Sequence, residues 1–315
     1  MDRLCCYRAQ KPHWQLATGA AFTMTDQSID GISIVIPAFN EEGAISACIR
    51  EVRESLDPQS YEYEIIVVDD GSQDQTADLA RAEGVNVVAM PENRGYGASL
   101  KTGIRHSKFD VIVITDADGT YPANRIPDLV DQLGQYDMVV GARTGQNVAI
   151  PLIRRPAKWL LRILASYLAG RSIPDLNSGL RVMRKDLVRR FAHLLPPGFS
   201  FTTTITLAAL CSNSLVKYSP IDYHARIGKS KIRPVHAFDF TLLIIRTIVY
   251  FNPLKVFLPL GALFLIGGLI KFGYDLYIGN FSESALLGFI TAAILWAVGL
   301  LSDQISKLTL RSDVL

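Results

Sequence analysis

The sequence predicts an α/β chain: a doubly wound, mostly parallel sheet followed by a two-helix transmembrane hairpin. Three observations predict it. Short β-branched runs alternate with helical-period stretches between Ile32 and Gly141, the pattern of strand–helix–strand units with helices on both faces of a parallel sheet. Polar clusters close three of the runs, at Pro37 to Glu41, at Asp69-Asp70 and at Asp116 with Asp118. Ligands of open α/β sheets bind beyond the carboxyl ends of strands, so these clusters mark one rim as a binding edge. Two long apolar runs then occupy the last quarter of a chain whose mean hydropathy is +0.21, high for a soluble enzyme.

The elements follow in order. Residues 1–30 have no periodicity and lack the apolar core of a signal peptide. They are read as a disordered tail, with Met24 as an alternative start. A catalytic domain is expected over 31–235. Ile32 to Ile36 is a strand ended by Pro37, and Glu41 to Leu56 carries Ile45, Cys48, Ile49, Val52 and Leu56 at helical spacing. Ile65 to Val68 is a second strand, closed by Asp69-Asp70-Gly71-Ser72. Asp74 is placed to cap a helix through Thr76 and Leu79. Val85 to Ala89 is a third strand, Gly95 to Arg105 a loop entering a helix, Val111 to Thr115 a fourth strand and Met138 to Gly141 a fifth.

The end of the fourth strand carries the chemistry. Residues i and i+2 of an extended segment face the same way, so Asp116 and Asp118 can converge. Two such carboxylates repel unless a cation lies between them, and a hard divalent ion completed by a diphosphate suits an all-oxygen set. The net charge of +2 suggests no nucleic-acid partner. The 4 cysteines show neither metal-ligand spacing nor a disulfide framework.

Four stretches together resemble the ordered motifs of family 2 glycosyltransferases with the GT-A fold: Pro37-Ala38-Phe39-Asn40-Glu41, Val67-Val68-Asp69-Asp70-Gly71-Ser72, Asn93-Arg94-Gly95-Tyr96-Gly97 and Asp116-Ala117-Asp118-Gly119. The resemblance spans Ile32 to Lys231 and is strongest to the polyprenyl-phosphate glycosyltransferases, dolichol-phosphate mannose synthases included. It implies a nucleotide pocket lined by Pro37, Phe39, Glu41, Asp69, Asp70, Gly95 and Asp116. Lys101, one turn further on, either reaches the nucleotide or is a solvated helix residue. Asp116 and Asp118 would hold Mg²⁺ or Mn²⁺ on the donor diphosphate. Thr120 stands where some members place a glutamine ligand, and is a further candidate ligand. Arg143 resembles the arginine of the family's Gly-x-Arg, expected with Asp116 and Asp118 in catalysis. Arg143, Arg154, Arg155, Ser178, Arg226, Ser230 and Lys231 are expected around the donor and acceptor phosphates, since cationic forks suit phosphate oxygens. Between Gly145 and Phe201 the one carboxylate weighed as a general base is Asp175, which is also read as positioning the Ser178-Gly179 turn.

The membrane module starts with 236–253, an apolar stretch that carries Arg246 and reads as an interfacial amphipathic helix. The remainder, 254–315, reads as a hairpin with spans over about 254–276 and 284–304. Arg246, Lys255, Lys307 and Arg311 flank the outer ends and the turn carries no cation. The positive-inside rule then puts both ends, and the catalytic domain, in the cytoplasm of a multi-pass protein. A lipid acceptor explains the hairpin, and a lipid phosphate, already anionic, explains the lack of a clear base. The expected activity is inverting transfer of one hexose from a GDP-mannose- or UDP-glucose-type donor to a dolichyl or undecaprenyl phosphate. Self-association is left open. The alternatives are a processive membrane polysaccharide synthase, whose Gln-x-x-Arg-Trp motif is missing here, and an inactive nucleotide-binding scaffold.

Overall fold

A computed structural model describes residues 29–145, 162–167, 169–224, 236–279 and 282–312. The expected tail, and the candidates Arg154, Arg155, Arg226, Ser230 and Lys231, lie outside the described residues, save Ile29 and Asp30 of the tail. Seven strands form one mixed sheet. β1 (Gly31–Ala38), β2 (Glu62–Asp69), β3 (Asn86–Ala89) and β4 (Val111–Ile114) are separated by α1 (Ile45–Leu56), α2 (Thr76–Ala82) and α3 (Tyr96–His106). After α4 (Ile126–Asp131) come β5 (Met138–Ala142), β6 (Arg181–Arg184), α5 (Lys185–Arg190), α6 (Phe201–Cys211) and β7 (Val216–Pro220). The spatial order is β3-β2-β1-β4-β6-β5-β7. Every pairing is parallel except those of β6, which is antiparallel to both β4 and β5.

Register explains how the sheet is buried on both faces. One transverse row runs Ile65, Ile34, Val113, Val182, Val139 and packs with α1 and α4. The next row, on the other face, runs Ile66, Val35, Ile114, Arg181, Val140 and packs with α3, α5 and α6. Near-continuous apolar strands are what a sheet covered on both faces requires. They are why β1, β2, β4 and β5 were readable from the sequence. β6, with the alternation Arg-Val-Met-Arg, was not. Pro37 does not end β1 as expected. It pairs in register with Val68, and the strand stops at Ala38. β4 pairs with β1 only as far as Val35, so at Pro37 the strand has β2 on one side alone and behaves as an edge, where a proline is tolerated.

Arg181 is the departure from the apolar rule. It is fully buried in the row between Ile114 and Val140. Its guanidinium donates to the Ser178 carbonyl through Nε and Nη2, and to the Thr202 carbonyl and Thr206 Oγ1 through Nη1. Burial lowers its pKa, and these oxygens compensate a charge that would otherwise cost several kcal/mol to bury.

Three helices complete the chain: α7 (His236–Phe251), α8 (Leu254–Ile278) and α9 (Glu283–Ser312). α7 turns Ile244 and Ile248 into a satellite core with Leu207 and Leu210 of α6, and leaves Leu242 and Arg246 exposed. Leu254–Ile278 and Glu283–Leu308 are long and apolar enough to cross a membrane, and only 11% and 17% of their most apolar stretches are buried. A core helix of a soluble protein would be covered; these two bury mainly their contact with each other. Gly268 and Gly288 meet backbone to backbone, where an added Cβ on Gly288 would lie 3.0 Å from the Gly268 Cα. Small residues at such crossings allow the close packing that membrane helix pairs use. Asp275, buried at the far end of α8, accepts from the Ser282 N–H and hydroxyl and from Lys271, which ties down the turn.

Candidate active site

The carboxyl ends of β1, β2 and β4 open into a cleft of about 250 Å³. Pro37, Phe39, Glu41, Asp70, Gly95, Asp116 and Asp118 line it, as expected, together with Tyr96, Asn93 and Phe199, to which the sequence reading assigned no role.

The wall formed by β1 and β2 is held by main-chain hydrogen bonds. After β1 the chain reverses at Asn40, whose φ of 53° is left-handed, a conformation asparagine tolerates better than most residues. Asn40 N–H donates to Ser72 Oγ, the Gln73 N–H donates to Asn40 Oδ1, and the Glu41 N–H donates to Thr76 Oγ1. The loops after β1 and β2 are thereby stitched together, which places Phe39 and Glu41 at the rim. Asp70 accepts from the Arg94 and Gly95 N–H groups, both at 2.9 Å. It therefore fixes the entry to α3 while lining the cleft. Asp69 is not among the cleft's lining residues. It is buried and accepts from the Ser72 N–H, so its role is to shape the turn.

At the start of α3 the space beside Gly95 and Gly97 is filled by the protein itself: an added Cβ would lie 2.8 Å from the Pro197 carbonyl at Gly95 and 2.3 Å from the Pro196 carbonyl at Gly97. The loop 196–199 occupies that space, and Ala98 N–H donates to Pro197 O. Lys101 does not reach the nucleotide cleft. Its Nζ donates to the Leu195 carbonyl at 2.9 Å, because about 100° of rotation per residue turns it to a different flank of α3 from the cleft-lining Tyr96.

Asp116 and Asp118 do converge on the cleft. The Tyr96 hydroxyl donates to Asp116 Oδ1 at 2.9 Å. Burial, with Asp116 beside it, pushes the Tyr96 pKa well above its ordinary value, so the phenol stays a donor. The Thr120 hydroxyl donates to Asp118 Oδ1 at 2.7 Å. Thr120 is fully buried and absent from the cleft lining, so it is an orienter of Asp118 in place of the expected metal ligand. Cys48 lies beneath, its Sγ 3.6 Å from the Asp116 carbonyl. Burial, and the charges of Glu51, Asp118 and Asp116, push its thiol up to about 12, which leaves it inert.

Behind Asp116 a second wall, which does not itself line the cleft, comes from far along the chain. Arg143, at the end of β5, is not a cleft-lining cation. Asp175 receives its Nε at 2.7 Å, its Nη2 at 2.8 Å and its backbone N–H at 3.0 Å, and the Tyr223 ring covers the guanidinium at 5.2 Å. Burial would raise the Asp175 pKa, but Arg143 overrides it and holds the carboxylate at about 2. Burial also disfavours the Arg143 charge, an effect that Tyr121 and Asp175 more than reverse. Ser178, expected at a phosphate, is fully buried and donates to the Gly141 carbonyl. That bond, the Thr203 hydroxyl donating to Asn177 Oδ1, and the Gly179 N–H donating to the Tyr121 hydroxyl staple the 175–179 turn to the sheet. An added Cβ at Gly179 would lie 2.7 Å from Asp116 Oδ2, so only glycine lets this turn rest against the carboxylate.

The donor set fits a hard divalent cation. Asp116 and Asp118 offer oxygen only, each steadied by a hydroxyl. Among the described residues no cluster of three or more His, Cys, Asp or Glu side chains could hold a metal alone. Two carboxylates suit an ion whose other ligands come from a bound diphosphate and water.

Comparison with known proteins agrees with this geometry. A family model described as glycosyl transferase family 2 matches residues 33–191, and one described as GtrB C-terminal hairpin matches residues 252–308. A dolichyl-phosphate hexose transferase of Haloferax volcanii is 30% identical over 67% of this chain and 90% of its own. An undecaprenyl-phosphate 4-deoxy-4-formamido-L-arabinose transferase of Pseudomonas fluorescens is 34% identical over 58% of this chain, which spans 57% of that relative. Among solved structures, glucosyl-3-phosphoglycerate synthase from Mycobacterium tuberculosis, crystallised with Mn²⁺, uridine diphosphate and phosphoglyceric acid, superposes with a TM-score of 0.57. That match has 21% identity and covers 70% of this chain and 78% of the other.

Proposed function

The chain belongs to glycosyl transferase family 2 and is a glycosyltransferase, and on that premise we propose that it moves one hexose from a nucleotide sugar to a polyprenyl phosphate, with inversion at the anomeric carbon. The observation that carries the reading is the fate of Asp175. The one carboxylate weighed as a general base in the second half of the domain is locked by Arg143 and held at a pKa of about 2, too acidic to accept a proton from a hydroxyl nucleophile. An acceptor that is already an anion needs no such base, and a phosphate monoester, with a second pKa of about 6, is one.

The hairpin supports a lipid as the carrier of that phosphate. The flanking cations support a multi-pass arrangement with both ends and the catalytic domain in the cytoplasm. α7, apolar toward the domain and carrying Arg246 outward, suits the membrane interface.

In this reading Phe39 and Glu41 receive the base and ribose, and Asp70 and Gly95 shape the pocket around them. Asp116 and Asp118 would hold Mg²⁺ or Mn²⁺, which supplies positive charge to stabilise the departing diphosphate. The acceptor oxygen attacks the anomeric carbon, the bond to the donor diphosphate breaks, and the electron pair leaves with the nucleoside diphosphate. No proton is transferred. Arg154, Arg155, Arg226, Ser230 and Lys231 remain the candidates to face the acceptor phosphate.

The test is a pair of acceptors. With membranes containing the chain and a panel that includes UDP-glucose and GDP-mannose, polyprenyl phosphate is expected to accept one hexose and the matching polyprenol none. Equal transfer to both would overturn the phosphate nucleophile.

A further inference from the structure

We propose that a second groove, on the flank of α3 away from the cleft, holds the headgroup of an anionic phospholipid. The groove measures about 390 Å³ and runs between α3 and α5. Arg94, Lys101, Arg105 and Arg189 contribute its cations, and no carboxylate lines it. Glu92 pairs with Arg94 at 3.2 Å outside the lining. The floor is apolar, with Ile104 and Val188 buried beneath. A phosphodiester oxygen suits the cationic rim, and the glycerol and first acyl carbons suit the floor.

Its position names the source of that phosphate. Ala192 closes one end of the groove. The preceding residue, Phe191, packs edge-on against Phe251 at 5.8 Å, and the following residue, His193, meets the Tyr250 hydroxyl at 3.3 Å. Tyr250 and Phe251 end α7, and α8 enters its apolar run at Leu254. Near its C-terminal end α9 returns to the same point, where Ser306 Oγ donates to the Tyr250 carbonyl. The end of α7, from which α8 departs and to which α9 returns, therefore meets the catalytic domain at the residues on either side of Ala192. A basic pocket with an apolar floor at that level suits lipid headgroups better than a soluble anion. Lys101 finds its place here: it extends the rim from α3, with Nζ held on Leu195 O.

The experiment uses the full chain in nanodiscs of phosphatidylcholine, alone or with phosphatidylglycerol added. After transfer to detergent, retained lipid is counted by native mass spectrometry. The chain is expected to keep phosphatidylglycerol in preference to phosphatidylcholine. Arg105→Glu combined with Arg189→Glu reverses two exposed rim charges and is expected to lower that retention about tenfold or more. Arg105→Ala with Arg189→Ala should lower it less, and carries the test if the glutamate pair unfolds early. Arg81→Glu, an exposed charge on α2 away from the groove, should change nothing. Unchanged retention in the paired variants, an equal loss in Arg81→Glu, or equal displacement of the lipid by soluble glycerol phosphate would each overturn the assignment.

Discussion

The wall that lines the cleft and the wall that backs Asp116 are held by different forces. The wall at β1 and β2 is built from segments that carry their own anchors. Asp70 binds two N–H groups of the next loop, and Asn40 exchanges bonds with Ser72 and Gln73 across adjacent strands. The wall at 175–179 is held by charge and burial across long separations: Arg143 on Asp175, the buried Arg181 on the Ser178 carbonyl, and Gly179 against Asp116. Asp116 and Asp118 lie where the walls meet. The contrast teaches that the first wall can tolerate single changes locally, whereas the second rests on a few desolvated charges whose loss is costly. Catalysis and stability should therefore separate by wall.

The largest effect is expected at the junction. Asp118→Asn keeps size and the Thr120 bond but removes the charge. Transfer should fall by about a thousandfold or more while the unfolding midpoint stays close to that of the unaltered chain. EDTA should mimic it, reversibly on adding Mn²⁺ or Mg²⁺. Full activity in EDTA would remove the metal from the site and, with it, the separation of catalysis from folding.

The second wall should break through stability. Asp175→Asn leaves the buried Arg143 without its counter-charge and should destabilise the catalytic domain by about 3–5 kcal/mol in denaturant unfolding. The same pair sets an acid limit. Because the folded Asp175 pKa is depressed to about 2, its contribution is complete above about pH 4 and is lost as pH falls toward 2. The amount is about 2 kcal/mol, and the unfolding profile of Asp175→Asn should lack that step. A variant as stable as the parent chain at neutral pH would show that the second wall is held by packing alone.

The smallest effect sharpens the comparison from the first wall's side. Tyr96→Phe deletes one hydroxyl from Asp116 Oδ1 and leaves the ring stack on Phe199, centroids 5.6 Å apart, in place. Mn²⁺ binding in the presence of nucleoside diphosphate, read by electron paramagnetic resonance, should weaken about tenfold, with little change in stability. Unaltered Mn²⁺ affinity would mean that the turn at Gly179 suffices to orient Asp116.

The sequence by itself determined what local pattern encodes. Apolar β-branched runs announced β1, β2, β4 and β5. Spacing brought Asp116 and Asp118 onto one side of the chain, and two uncharged runs announced the hairpin. Tyr96 lay inside a recognised motif yet received no role, because a hydroxyl's partner is not visible in a motif. Only tertiary structure decided the rest. Lys101 read equally as a nucleotide contact or a solvated helix residue, because nothing nearby in the chain says which face a basic residue occupies. Antiparallel β6 carries Arg181 into an apolar row, and the rotation along α3 carries Lys101 away from the cleft, onto the Leu195 carbonyl. Asp175 read either as a base or as positioning the Ser178-Gly179 turn until β5 brought Arg143, 32 positions away, into bidentate contact. A side chain's charge is written in the sequence, but its partner and its exposure are set by strand register and chain crossing, and those decide whether the charge binds a ligand or holds the fold.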